Sequence, residues 1–201
     1  MFFAACAIAL LCLVSVSLSA PLACEDLVRP LDQLDHGHLE GRWALVAGSL
    51  SYLPNLKRFR RRDSATVNFP SNISDTTFSY SRSIRSDNKC LYNSYNITLD
   101  GSNFTYDGTD KSNFSANFVH TSCRDCLVMH FNIVSKKHHH FYLFSRRRQL
   151  EQEEMEEFRA QVDCLNLPAP AVMDPTRELC PDEADYDPAA QPEEKTEGKK
   201  D

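Results

Sequence analysis

Eight short runs of alternating apolar and polar residues follow one another along the middle of the chain, and they limit the folds open to it. They are rich in Phe, Tyr, Val, Ile and Thr, and turn residues separate them. Alternation with a period of two is typical of strands with one buried face, and eight such strands on short connections predict an up-and-down antiparallel barrel or a sandwich. The runs span 43–51, 64–69, 76–84, 90–99, 102–107, 113–123, 126–134 and 140–146.

The period changes after the eighth run. In QLEQEEMEEFRAQVDCL the apolar residues recur on one helical face and acidic residues occupy the first turns. One amphipathic helix after eight strands favours the barrel. The predicted fold class is therefore all-β, an eight-stranded up-and-down antiparallel barrel with one C-terminal α-helix packed outside.

The two ends of the chain differ from its middle. Residues 1–24 contain no charged side chain, and Ser17 and Ser19 occupy the −3 and −1 positions of a signal-peptidase site, which predicts a signal peptide over 1–19 and a secreted, extracellular protein. An uncleaved anchor is the alternative; no later run is long enough to span a bilayer. Residues 181–201 carry eight acidic and three basic residues, which predicts an acidic disordered tail after one domain over 20–180.

Charge and cysteine content restrict the partners and the compartment. The formal net charge of −6 argues against a nucleic-acid partner. Six cysteines remain after residue 19, and an even number in a secreted chain predicts up to three disulfides with 15 possible connectivities. Four N-glycosylation acceptors agree with export, because all four lie within 42 residues: Asn72, Asn96, Asn103 and Asn113.

The acceptors also orient the strands, because a glycosylated Asn must face outward and neighbours along a strand alternate. Asn96 turns Tyr95 and Ile97 inward. A type I′ turn at Asp100-Gly101 would pair Leu99 with Ser102 and carry the same faces into the next strand. The interior is then aromatic and aliphatic, either a packed core or a ligand cavity. The candidate polar ligand contacts are Tyr80, Arg82, Tyr95, Tyr106 and His120, and the candidate apolar walls are Phe78, Ile97, Phe104, Phe114, Phe118, Met129 and Phe131.

The same alternation places Cys123 and Cys126 outside, as neighbours across a two-residue turn. We interpret this C-x-x-C as a structural disulfide; a redox or metal site is the alternative. The histidines at 138–140 are interpreted as a solvated hairpin tip, and no metal site is predicted. No catalytic motif is found and no cofactor is predicted. The basic run from Lys57 to Arg62 is a solvated loop, a contact for an anion, an acidic ligand, heparin or the cell surface, or a dibasic processing site.

These features resemble a known family. Gly41-Arg42-Trp43 opens the first run, Phe144-Ser145-Arg146 ends the eighth, and the helix follows, an arrangement similar to the lipocalins. Three segments resemble the alpha-1-acid glycoprotein (orosomucoid) branch, to which fish toxin-binding and organotin-binding lipocalins are similar. They are PLACEDLVRPLDQLDHGHLEGRW, NKCLYNSYNITLDGSNFTY, and EEFRAQVDCLNLP followed by DPTRELCPDE.

The resemblance implies specific bonds and a function. Trp43 closes the barrel floor beside Gly41, and Arg146 packs over it. The disulfides of the branch carry over as Cys24–Cys164 and Cys90–Cys180, with Cys123–Cys126 outside this pattern. The implied function is transport in plasma, with an acute-phase or immune-modulating role, of small hydrophobic or amphipathic molecules such as lipids, steroids, drugs or toxins. A surface interaction glycoprotein with a filled barrel is the alternative.

Overall fold

The computed structural model describes residues 23–71, 73, 76–106 and 113–183. The predicted signal peptide, all but the first residues of the predicted tail, and Asn72 lie outside these residues. No helix within them is long and apolar enough to cross a membrane. The elements in chain order are α1 (Cys24–Leu27), α2 (His36–Leu39), β1 (Gly41–Leu50), α3 (Leu53–Phe59), β2 (Ser64–Phe69), β3 (Thr77–Ser86), β4 (Lys89–Asp100), β5 (Asn103–Tyr106), β6 (Phe114–Val119), β7 (Cys126–Ile133), a 3₁₀ turn (Val134–Lys136), β8 (His138–Ser145), α4 (Gln152–Cys164) and β9 (Ala171–Val172).

The first eight strands form a closed antiparallel barrel, which confirms the predicted fold class. Each strand pairs with its neighbour in sequence from β2 to β8, and β1 closes the ring by pairing with both β8 and β2. Closure leaves these eight strands without a free edge. The two-residue β9 pairs with the outer side of β1 near Ala47.

Two hairpins have a different register from the one that the sequence predicts. Asp100 pairs with Asn103, so the turn is Gly101-Ser102 rather than Asp100-Gly101. Gly101 adopts a φ of +61° there, which glycine accepts without steric cost. A two-residue shift leaves the faces unchanged because side chains alternate with a period of two. Ile97 is accordingly 1% exposed inside, while Asn96 is exposed outside.

The sixth strand is shorter than predicted. It ends at Val119, where Pro30 forms an isolated bridge, and the His120 N–H donates to the Arg29 carbonyl. Val119 pairs with Val128, so Cys123 lies in the connection rather than opposite Cys126 in the ladder. The N-terminal segment has taken the hydrogen bonds that would have extended β6.

Helix α4 covers the outside of the barrel. Met155, Phe158 and Val162 are buried against a second apolar cluster formed by the outward residues of β1, β6, β7 and β8. The Phe158 ring stacks on Phe141 at 5.3 Å. Gln161 is 1% exposed and its amide nitrogen donates to the carbonyls of Leu27 and His120, which ties the helix to the N-terminal segment.

The closed end of the barrel is built around Trp43, which is fully buried. Its indole nitrogen donates to the Leu39 carbonyl at 2.8 Å. The Arg146 guanidinium lies 3.9 Å from the Trp43 ring centroid and donates to three backbone carbonyls of the N-terminal segment. Gly41 has a φ of +86°, and a Cβ there would meet the Arg146 guanidinium at 3.2 Å. The floor therefore has the arrangement that the resemblance implies.

Three disulfides join the outer segments to the barrel. They link Cys24 to Cys164, Cys90 to Cys180, and Cys123 to Cys126. The first holds α1 against the end of α4, and the second holds the C-terminal segment across β2, β3 and β4. These are the pairs that the resemblance and the C-x-x-C interpretation predicted.

Candidate functional site

A cavity of about 590 Å³ occupies the open half of the barrel. Its lower limit is a layer of closely packed side chains above Trp43, and its mouth lies between α3 and the 3₁₀ turn. Pockets for small molecules commonly have 300 to 1,000 Å³. The lining residues are Asn55, Val67, Tyr80, Arg82, Tyr95, Phe114, Phe131, Ile133, Lys136, His138, His140, Tyr142 and Phe144.

Aromatic rings make up most of the wall. Tyr80 and Tyr95 face each other from β3 and β4 with centroids 5.3 Å apart, and Phe114 and Phe131 do so from β6 and β7 at 5.4 Å. The Phe131 ring meets Tyr142 edge-on at 5.6 Å. These rings belong to adjacent strands, so they form one continuous apolar surface. Such a surface binds the apolar part of a ligand by removing it from water.

Helix α3 partly covers the mouth. Pro54 lies in its first turn, where a missing N–H costs nothing. Leu56 and Phe59 point down and are 2% and 0% exposed, and Phe59 stacks on Tyr142 at 5.7 Å. The basic run that begins at Lys57 therefore forms the end of α3 and the turn that follows it, so its side chains point in different directions. Its members on the outer face are exposed, whereas Phe59 and Arg62 turn toward the barrel.

Two guanidinium groups reach the interior. Arg62 lies over the Phe59 ring at 4.9 Å, and Phe59 in turn stacks on Tyr142. Arg82 donates to Asn93 Oδ1 at 3.3 Å, and its buried Nε has no hydrogen-bond partner. Burial lowers the pKa of Arg62, but an arginine stays charged in a protein. Within the described part of the chain no carboxylate pairs with either group, so the cavity carries uncompensated positive charge.

The polar groups beside these cations are neutral. Burial, assisted by Arg62, lowers the pKa of His140 to about 4, so the ring is uncharged at neutral pH. Its Nδ1 lies 3.2 Å from the Tyr142 hydroxyl, and its buried Nε2 has no partner. Burial raises the pKa of both Tyr80 and Tyr142, which keeps their hydroxyls protonated. The site thus combines Arg62, Arg82 and Lys136 with neutral hydrogen-bonding groups.

Five of the twelve predicted ligand contacts line the cavity: Tyr80, Arg82, Tyr95, Phe114 and Phe131. Four others lie deeper, at most 1% exposed, and form the packed layer above the floor: Ile97, Phe104, Phe118 and Met129. Phe78 and Tyr106 pack against the apolar interior without lining the cavity. His120 requires a correction, because β6 ends before it and its backbone joins the N-terminal segment at the closed end.

The sequence interpretation placed the eighth strand but missed its cavity-lining side chains. His138, His140, Tyr142 and Phe144 all line the cavity, so the solvated hairpin tip predicted for the histidines is wrong for two of the three. The strand begins at His138, and HHHFYLF alternates inward and outward from there. Only His139 is exposed. Extending the predicted eighth run by two residues toward the N-terminus, with the same alternation, would have identified all four positions.

The other sequence candidates lie away from the cavity. Cys123 and Cys126 are bonded and 5% and 4% exposed, on the outer wall beneath α4. A catalytic thiol needs access and a helix N-terminus or a cation that lowers its pKa, so this burial favours the structural interpretation. The described residues contain no group of three His, Cys, Asp or Glu placed to hold a metal ion. The acceptors Asn96, Asn103 and Asn113 are exposed.

Comparisons with known proteins agree with this architecture. The siderocalin Ex-FABP, described as functioning through dual ligand specificities, is 17% identical, with a TM-score of 0.57 over 68% of this chain and 93% of its own. Lipocalin 12 from rat epididymis is 16% identical, with a TM-score of 0.63 over 76% of this chain and 91% of its own. At these identities the likeness concerns the fold. No curated protein matches the sequence.

A family model supplies the identification. Residues 29–183 match the model of the ApoM domain, and this range includes every strand of the barrel and helix α4. The lipocalin resemblance is thereby confirmed, whereas the alpha-1-acid glycoprotein branch stays a prediction. The chain belongs to the ApoM domain family, a lipocalin-type family.

Proposed function

We propose that this protein is a secreted carrier that binds small amphipathic molecules with an acidic headgroup. The observation that carries the proposal is the positive charge at the aromatic cavity. Arg82 and Lys136 line the cavity, Arg62 lies beside it, and no described carboxylate pairs with any of the three. A buried cation is stable only when it is paired or hydrogen-bonded. Arg82 keeps one buried N–H, at Nε, without a hydrogen-bond partner, and an anionic ligand would supply that partner.

The apolar part of the ligand contributes most of the affinity. Shielding about 200 to 300 Å² of apolar ligand surface contributes about 5 to 7.5 kcal/mol at about 25 cal/mol per Å², before ordering costs. The cavity of about 590 Å³ accepts a ligand of that area. Tyr95 and Phe131 both contact the Phe114 ring, so they provide a flat surface for an alkyl chain or a ring system.

The headgroup sets the selectivity. A carboxylate or phosphate between Arg62 and Arg82 accepts charge-assisted hydrogen bonds, which are about twice as strong as neutral ones. The Tyr80 and Tyr142 hydroxyls are additional donors because burial keeps them protonated. An amine headgroup would meet like charge at this position. The expected order of affinity is therefore acid above neutral analogue above amine.

An extracellular location is part of the proposal. Three disulfides form and persist in oxidising compartments. Three of the four glycan acceptors are exposed on the described surface, and the fourth, Asn72, lies outside it. Transport in plasma with an acute-phase or immune-modulating role follows the resemblance to the alpha-1-acid glycoprotein branch, and the exposed acceptors are consistent with it.

The test is a competition titration of the purified glycosylated protein. A fluorescent apolar probe is displaced by a long-chain fatty acid, by the alcohol of the same length and by the corresponding amine. We expect saturable one-site binding, with the acid at least about tenfold tighter than the alcohol, which is the effect of about 1.4 kcal/mol. In Arg82→Met the preference for the acid should decrease, because only Arg62 and Lys136 then favour an anion. Arg159→Met, on the exposed face of α4, is the matched control and should preserve the preference.

A second pair of variants tests the location of the ligand. Tyr95→Ala removes a ring from the cavity wall, whereas Tyr92→Ala removes one from the outer wall, where its hydroxyl donates to the Pro181 carbonyl. Only the first should weaken binding, by about tenfold or more. Equal effects of the two variants, or no saturable binding by the folded protein, would refute a carrier function in this cavity.

A further inference from the structure

The mouth of the barrel carries most of the large apolar side chains that the protein exposes. Among the described residues five such side chains are exposed, and four of them belong to segments at this end. Tyr52 and Leu53 begin α3, Val134 begins the 3₁₀ turn, and Leu91 follows the β3–β4 turn. They are 45%, 58%, 60% and 59% exposed. Isolated exposed apolar residues are ordinary, but a set around one opening indicates a contact surface.

Exposed cations accompany these side chains. Lys57, Arg58, Arg60 and Arg61 lie on α3 and its C-terminal turn, and Lys136 and Lys137 lie on the opposite side of the mouth. None of the six pairs with a carboxylate of the described chain. Of the carboxylates at this end, Asp63 pairs with Arg177 and Glu178 pairs with Arg85. Asp87 in the β3–β4 turn is exposed, so the described residues at the mouth keep an excess of positive charge.

Acidic side chains are concentrated away from the mouth. The whole chain has a formal charge of −6, and the segment at the closed end, residues 23–40, has five acidic residues and one arginine. Helix α4 adds acidic residues along the side of the barrel. Arg146, Arg147 and Arg148 offset part of this charge at the closed end. A negatively charged surface therefore attracts the mouth more strongly than the acidic side of the barrel, which orients the molecule before contact.

We propose that the mouth docks on an anionic lipid bilayer. For this purpose the mouth surface consists of Tyr52, Leu53, Leu91 and Val134 together with the six exposed cations. Apolar side chains beside lysines and arginines are the pattern of segments that lie in a membrane interface, with the rings and aliphatic groups below the headgroups and the cations at their level. A polysaccharide such as heparin uses the cations but has no use for exposed Leu and Val side chains.

Docking in this orientation places the cavity against the source of its ligand. Asn55 and Lys136 belong both to the cavity lining and to the segments of the mouth surface. An amphipathic molecule then passes between bilayer and cavity without crossing bulk water. This consequence rests on the proposed function, whereas docking itself is measured without a ligand, so either idea can fail alone.

The experiment is sedimentation of the ligand-free glycosylated protein with vesicles. One set is phosphatidylcholine, and a second contains about a third phosphatidylserine. We expect binding to the second set alone, weakened when NaCl rises from about 0.1 M to about 0.5 M. Arg58→Gln/Arg61→Gln should reduce the partition constant about 25-fold, because each cation near an anionic bilayer contributes about fivefold. Leu53→Asn should reduce it about tenfold.

Matched controls lie on the outer wall. Val172 on β9 is 53% exposed on the outer side of β1 and is not part of the mouth surface, so Val172→Asn should bind vesicles like the parent protein. Arg159→Gln on α4 is the charge control. Asn113→Gln is included because this acceptor precedes β6 at the same end, and a glycan there would shield the surface.

Two outcomes would overturn the proposal. One is that the parent protein, Asn113→Gln and Arg58→Gln/Arg61→Gln all bind the phosphatidylserine vesicles equally. The other is a loss on removing cations without any loss in Leu53→Asn, accompanied by retention on immobilised heparin, which would assign the surface to a polysaccharide.

Discussion

His140 makes the stability of the folded barrel depend on pH in a range where an ordinary surface histidine has little effect. His140 belongs to β8, which pairs with β7 on one side and with β1 on the other. Burial is the main reason that the pKa of its ring falls to about 4. The charges of Arg62, His138, Arg82 and His139 lower it further. The unfolded chain, with a histidine pKa of about 6.5, binds this proton more readily than the folded chain does.

The sign and size follow from proton linkage. Because the folded pKa is the lower one, stability is full above about pH 6.5 and decreases as the pH falls toward 4. Between pH 7.5 and pH 4.5, pKa values of about 6.5 and about 4 give a loss of about 2.5 kcal/mol from His140 alone. Substitution by Gln removes this contribution and leaves the other titrating groups in place, among them His130, whose pKa burial also lowers.

Urea unfolding of the parent protein and of His140→Gln at pH 7.5 and pH 4.5 measures the contribution of His140. It is the loss of unfolding free energy in the parent minus the loss in the variant. The parent should lose about 2.5 kcal/mol more than His140→Gln between pH 7.5 and pH 4.5. His139→Gln is the matched control, since His139 is the neighbour that β8 turns to solvent, and it should follow the parent. If the parent and His140→Gln lose the same free energy, the ring is hydrated in the empty cavity and the assignment of its neutral state is wrong.

Three further outcomes follow from the packing. Arg146→Met should lower the unfolding free energy by about 3 kcal/mol, because it removes the cation over the indole and the charged hydrogen bonds to three carbonyls. A urea midpoint that is unchanged within error would contradict this. Replacing both Cys24 and Cys164 by Ala opens a loop with a sequence separation of 140 and should cost about 5 kcal/mol, measured by thermal melting of the oxidised protein. Gly48→Ala places a Cβ within 2.7 Å of Phe59 and Tyr142 side-chain atoms, so it should cost about 1 to 3 kcal/mol and weaken probe binding; normal binding would show that α3 tilts freely.

The inward-facing side chains could be predicted from the sequence, because that inference requires only that neighbours along a strand alternate between the two faces. Asn96 and Asn103 fixed the faces of β4 and β5, and both hairpin registers were wrong by two residues without any change of face. The depth of each side chain along the barrel could not be predicted this way. Phe104 and Phe131 share the inward face, yet one belongs to the packed layer and the other to the cavity wall.

The two interior arginines illustrate a different limit. Arg82 follows from the alternation of β3, whereas Arg62 belongs to a run of basic residues that the sequence presents as a loop. Its inward position depends on α3, whose residues Leu56 and Phe59 insert into the barrel and turn the end of the helix toward Tyr142. Such a tertiary contact has no signal in local periodicity.

The interior charges couple ligand binding to protonation. Arg62 and Arg82 both help to keep His140 neutral in the empty cavity. An anion bound between the two guanidinium groups offsets their positive potential, so the pKa of His140 rises and the folded protein accepts its proton more readily. Linkage requires the converse, that protonation of His140 favours the anion. Acidification therefore destabilises the empty barrel more than the loaded one, as long as the ligand itself remains ionised.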